Sequence, residues 1–180
     1  RDRGPWPKTC FARIVRNPAT LRSDIDVAVL FGDGRFKQGE SLWLFNEEVF
    51  PVCSPQWLKE QVAPLTVQTL QDCPLLHLRQ ENNSQWFDWN GVFRELGITA
   101  APTPGQLRFD NYTLLIQAAI AGQGVAIGWR HLVDNLLEQN WLCRPISSTV
   151  ISRLGYYVVQ PQRKRRGQLV DRFVEWLVAE

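Results

Sequence analysis

The chain has 180 residues, a net charge of +2, 44% hydrophobic and 21% charged residues, the make-up of a globular protein with enough chain to bury a core in one domain or two small lobes. So small a net charge is too weak to imply a nucleic-acid surface on this segment, where a strongly basic face would be expected. The apolar runs are broken by charge or glycine well short of the roughly 18 to 20 residues that a membrane span needs.

The first ten residues, RDRGPWPKTC, carry two prolines and no hydrophobic period and read as a loose tail. With no methionine anywhere, the chain reads as a fragment whose upstream signal peptide or further domain is out of view. Residues 11–15 (FARIV) read as a short strand, and residues 25–31 (IDVAVLF) as a strand buried on both faces, as in a parallel sheet. Gly32-Asp33-Gly34 stops that strand. Residues 41–52 (SLWLFNEEVFPV) read as one or two strands. Ser54-Pro55 opens a short helix, with serine as N-cap and proline in the first turn.

Beyond residue 65, LLHL at 75–78 is a predicted strand. Ser84 is the predicted cap of a helix that places Trp86, Trp89, Phe93 and Leu96 on one face, and Gly97 is placed to end it in the left-handed conformation. Residues 106–109 read as a strand. Asp110 or Asn111 caps a helix over 112–121, which Gly122 terminates. A strand over 124–129, a helix over 131–139, strands over 141–146 and 155–160, and a helix over 167–179 with Leu169, Phe173, Trp176 and Leu177 inward complete the series. Such alternation argues for an α/β fold with mostly parallel sheets.

Four cysteines, Cys10, Cys53, Cys73 and Cys143, stand at wide, irregular spacings with no CxxC pair. This gives no support to a metal or redox motif, and the thiols read as reduced, small hydrophobes, which favours the cytoplasm. The glycines at 122, 124 and 128 follow a helix and open a strand. A dinucleotide fingerprint needs the reverse order, so these glycines read as geometry: a helix C-cap and a tight strand entry. No GxxxxGK[ST], HExxH or GxSxG is present.

The remaining chemistry-bearing residues each leave two readings open. His77 ends a strand, where α/β folds place sites, or is a half-buried histidine of the scaffold. Asp24 and Asp26 share one side of a strand and are either cation ligands or a solvated edge. Arg163-Lys164-Arg165-Arg166 is a solvated loop or a phosphate contact. Trp129 lies at the carboxyl end of a strand. It either packs, or holds an apolar or quaternary-ammonium ligand, since a cation over an indole face gains roughly 0.5 to 2 kcal/mol.

Taken in order, several motifs resemble the effector-binding domain of LysR-type transcriptional regulators: DIDVAV at 24–29 followed by Gly32-Asp33-Gly34, PVCSP at 51–55, LQDCPLL at 70–76, AAIAGQGVAIG at 118–128 and FVEWL at 173–177. The resemblance covers residues 11–180. Trp86-x-x-Trp89 and Gly128-Trp129-Arg130 place it nearest the glycine-cleavage-activator and choline-sulfate-utilisation regulator subgroups.

The resemblance implies an α/β, two-lobed, periplasmic-binding-protein-like (type 2) fold. Residues 11–54 and 156–180 would form the first lobe and residues 55–155 the second, with a small effector held in the cleft. It carries effector contacts over to Phe31, Gly32 and Asp33, to His77 and Leu78, to Asn111 and Tyr112, and to Gly128 and Trp129. It implies no catalytic residue, metal or cofactor, and a bacterial, cytoplasmic homodimer or homotetramer that meets promoter DNA through an N-terminal helix-turn-helix. That helix-turn-helix, and the first strand and helix of the first lobe, have no counterpart here. The expectation is therefore an incomplete first lobe, its apolar strand edges unpaired, and a chain that is unstable or orders only its second lobe. The competing readings are a periplasmic solute-binding protein of the same fold and an enzyme on such a scaffold, because one fold hosts many functions.

Overall fold

The structure, a computed structural model, describes residues 25–37, 39–79, 85–99, 107–161 and 168–179. The predicted strand at 11–15, Asp24, Ser84 and the basic run 163–166 lie outside the described residues. The chain divides into two compact units, residues 1–46 with 153–180 and residues 47–152.

In the first unit, strand β1 (Ala28–Gly32) pairs antiparallel with the C-terminal part of β6 (Val150–Pro161), Ala28 opposite Val159 and Gly32 opposite Gly155. This corrects the expectation of a parallel strand buried on both faces. Ala28, Leu30 and Gly32 are buried and the residues between them are half-buried, so the apolar run covers one core face and one partly covered face. Ala28, Leu30 and Val159 form the core, with Ile25, Phe36 and Tyr157 against it. The final helix, α5 (Gln168–Ala179), buries Val174, whereas Leu169 and Trp176, both predicted inward, are 51% and 43% exposed.

Strand β2 (Gly39–Val52) is one uninterrupted strand, and it runs from the first unit into the second. Its last residues pair antiparallel with β5 (Ala126–Trp129), Val49 opposite Trp129 and Val52 opposite Ala126. All of β5 is buried. Val125, Ile127 and Trp129 enter one core with Val49, Trp89 and Phe93, while Ala126 enters another with Phe50, Leu115 and Ala119. Here, not at β1, a strand is covered on both sides.

Helix α1 (Pro55–Lys59) starts as predicted, the Ser54 hydroxyl accepting from Trp57 N at 3.0 Å. A single 3-10 turn spans Thr69–Asp72. Strand β3 (His77–Leu78) runs parallel to β4 (Arg108–Phe109). Helix α2 (Trp89–Glu95) is capped by Asp88, whose carboxylate accepts from Gly91 N at 2.7 Å. The helix therefore begins later than predicted and leaves Trp86 ahead of it. Trp89, Val92 and Phe93 are its buried face, and Gly97 follows at φ 71°. Helix α3 (Tyr112–Ile120) ends at Gly122, φ 77°. Helix α4 spans Asp134–Glu138. The predicted strand at 141–146 is reduced to a bridge between Cys143 and Cys53. There the Arg144 guanidinium ties the following loop instead, reaching the carbonyls of Ser147 (2.6 Å) and Ser148 (3.1 Å) and the Thr149 hydroxyl (2.7 Å).

Among the described residues, no helix is long and apolar enough to cross a membrane, and no cluster of three or more His, Cys, Asp or Glu is placed to hold a metal.

Candidate functional site

The candidate site grows from the start of α3, which packs on β3, β4 and β5. Asn111 has the extended backbone of an N-cap, and its side-chain oxygen accepts from Thr113 N (2.8 Å) and Leu114 N (3.3 Å). Those bonds satisfy donors that the helix cannot pair internally. Tyr112 turns its ring edge-on to Trp129, 5.2 Å between centroids. The Tyr112 hydroxyl accepts from Trp129 N at 3.2 Å and donates to the Ile127 carbonyl at 3.5 Å. The start of the helix is thus fastened to the end of β5, and Asn111, Tyr112 and Trp129 are brought together.

Trp129 is 7% exposed, and its indole N–H donates to Glu47 Oε1 at 2.8 Å. The same oxygen accepts from Phe87 N at 3.1 Å. Glu47 is 1% exposed, and its Oε2 is buried with no hydrogen-bond partner among the described residues. Burial pushes its carboxyl above the usual carboxylate range, outweighing the Trp129 and Phe87 donors that pull it down. The site therefore contains an acid with one oxygen fixed and the other unsatisfied, beside an aromatic pair.

Sequence reasoning missed Glu47, although a signal was present. Along SLWLFNEEVFPV, side chains alternate faces, and Glu47 has the parity of Val49, which is fully buried. An acid in inward register marks either a network or a site.

His77 and Leu78 stand half-buried on β3. Their backbone is fixed by His77 N to Leu107 O (3.2 Å) and Arg79 N to Phe109 O (2.7 Å). Gly128 is held by packing: a Cβ there would stand 2.7 Å from Val52 Cγ1 and 3.2 Å from Val133 Cγ2. In the first unit, Phe31 and Gly32 end β1, with the Phe31 ring 5.0 Å from that of Tyr156. In the turn that follows, Asp33 Oδ1 accepts from Arg35 N at 3.0 Å. Asp26 is exposed.

Glu47 gives the site a pH signature. Its folded-state pKa lies above its unfolded value, so folding favours the protonated acid. The stabilisation is fully present below the unfolded pKa and is lost as pH rises through the folded pKa. Glu47→Gln keeps the acceptor for Trp129 and Phe87 and removes the titration. Urea unfolding at pH 5 and pH 8 should show the variant gaining on the parent chain as pH rises. An identical pH dependence in both chains would contradict this account.

Solved structures similar to this chain carry the same α/β fold. The effector-binding domain of AmpR from Citrobacter freundii aligns with a TM-score of 0.67 at 22% identity, covering 91% of this chain and 76% of that one. The effector domain of AmpR from Pseudomonas aeruginosa aligns at 0.66 and 23%, covering 86% and 71%. The fold is the periplasmic-binding-protein-like (type 2) fold of these regulator domains. Residues 17–180 match the LysR substrate binding domain, and the chain belongs to that family. Its curated relatives include the HTH-type transcriptional regulator DsdC of Escherichia coli K12, 30% identical over 87% of this chain and 50% of the relative. Another is the glycine cleavage system transcriptional activator of the same strain, 27% identical over 92% and 52%. The chain spans about half the length of these relatives.

Proposed function

We propose that this chain is the effector-sensing part of a LysR-type, DNA-binding transcriptional regulator, not an enzyme, and that it works in the cytoplasm as a homodimer or homotetramer. The observation that carries this reading is the family match over residues 17–180, and relatives named as transcriptional regulators support it. Effector contacts are proposed at Phe31, Gly32 and Asp33 of the first unit. In the second unit they are proposed at His77, Leu78, Asn111, Tyr112, Gly128 and Trp129, with Glu47 behind Trp129.

A small metabolite that binds one conformation of the domain better than another shifts the population toward it, and through the assembly changes the grip on promoter DNA. The edge-on aromatic pair Tyr112–Trp129 supports a ligand bearing an amino or quaternary ammonium group, held over an aromatic face.

The test uses calorimetric titration of the chain with choline, glycine betaine and a panel of neutral amino acids. One class should bind saturably, and Trp129→Phe should weaken it about tenfold, equivalent to roughly 1.4 kcal/mol; because the substitution also removes the buried bond to Glu47, affinities are compared well below the lowered Tm of the variant. Equal affinity in the variant would remove Trp129 from the site. In the complete regulator, the same compound should change the affinity for promoter DNA; failure there would remove the sensing role.

A further inference from the structure

Cys53 and Cys143 face each other across an antiparallel bridge in which each amide donates to the other's carbonyl, Cys53 N to Cys143 O at 3.0 Å and Cys143 N to Cys53 O at 2.8 Å. In such a hydrogen-bonded pair the Cα atoms stand about 5.5 Å apart, inside the range of about 4.4 to 6.8 Å that a disulfide spans. The two sulfurs are 3.9 Å apart, and both cysteines are free thiols. We propose that Cys53 and Cys143 form a reversible intramolecular disulfide when the protein meets a hydroperoxide. The proposal concerns the second unit alone and stands independently of the effector reading.

The backbone is already in place on both sides. Cys53 follows β2, whose last residues are paired with β5, and Cys143 precedes the Arg144 tie to residues 147–149. Closure therefore asks only for side-chain rotation that brings the sulfurs to about 2.05 Å.

Cys53 is fully buried and Cys143 only half-buried, which assigns the order of events. The Cys143 sulfur attacks the hydroperoxide, breaking its O–O bond, and becomes a sulfenic acid as the alcohol (or water, from hydrogen peroxide) leaves. The Cys53 thiol then attacks that sulfur as it gives up its proton, forming the S–S bond. The sulfenic hydroxyl leaves as water with the Cys53 proton. Two thiols are oxidised by two electrons and one peroxide is reduced. Burial holds both thiols above their ordinary pKa, which slows the first step and keeps the pair reduced against mild oxidants. A small dithiol restores the starting state by exchange.

Cys73 tests the choice of partner, because it is a buried free thiol in the same core. The chain is treated with hydrogen peroxide, alkylated, digested and mapped by mass spectrometry, with unfolding followed in parallel. A linked Cys53–Cys143 peptide should appear, persist in Cys73→Ser and vanish in Cys143→Ser. Because the closed loop joins residues 90 apart, Tm should rise on oxidation and fall back with dithiothreitol. Over-oxidation of Cys143 without a link, a link to Cys73 or Cys10, or only intermolecular dimers on a non-reducing gel would overturn the proposal.

Discussion

Trp89→Ala is expected to destabilise the second unit by about 3 to 5 kcal/mol, the range for emptying a large aromatic site in a packed core. Among the described residues, Trp89 is the largest fully buried side chain, and it stands edge-on to Phe93 with 5.8 Å between ring centroids. Its indole N–H donates to the Leu76 carbonyl at 2.9 Å, so the truncation opens a cavity and removes a buried hydrogen bond together. Trp89→Phe separates the two losses. It refills most of the volume and gives up the bond, and should recover more than half of the stability lost. Urea unfolding of the three chains gives the comparison. A cost below about 1 kcal/mol for the alanine variant would mean that this core can collapse around the gap.

The second large effect belongs to Gly124. Its φ is 149°, and a Cβ there would stand 2.2 Å from the Pro74 carbonyl oxygen. That same oxygen accepts from Val125 N at 2.9 Å, beside the bridge of Leu75 to Val125. An alanine therefore pays no small steric toll that a side chain could relieve: it pushes backbone from backbone. About 2 to 4 kcal/mol is expected, combining backbone strain with overpacking. Gly97 is the control, because it also has positive φ, 71°, but meets nothing within 4 Å of its would-be Cβ. Gly97→Ala should cost only about 1 to 2 kcal/mol, the left-handed penalty alone. Equal Tm losses for the two variants would refute the clash at Gly124.

These glycines also show why part of the fold was legible in the sequence. The stops at Gly97 and Gly122 and the starts at Ser54 and Asn111 are decided by one or two residues and their own backbone, so local chemistry suffices to find them. What failed was decided at a distance. The start of α2 moved from Ser84 to Asp88 because the buried face begins at Trp89. The strand predicted at 141–146 gave way to a single bridge and the Arg144 tie. In α5, periodicity found the helix but not its buried residue, Val174. For the candidate site, the ordered motifs led to Tyr112 and Trp129, which do meet. Glu47 was hidden because its partners, Phe87 and Trp129, lie 40 and 82 residues away, and only the parity of β2 hinted at it.

The division of the chain has a consequence during synthesis. Residues 47–152 are contiguous, whereas the other unit is assembled from both ends of the chain. A ribosome moving toward the C-terminus therefore delivers the whole of the second unit while the half of β6 that pairs with β1 is still to come. Since domains generally fold as units in order of emergence, the middle of the message matures first. Its flanks wait for one another across the translation of everything between them.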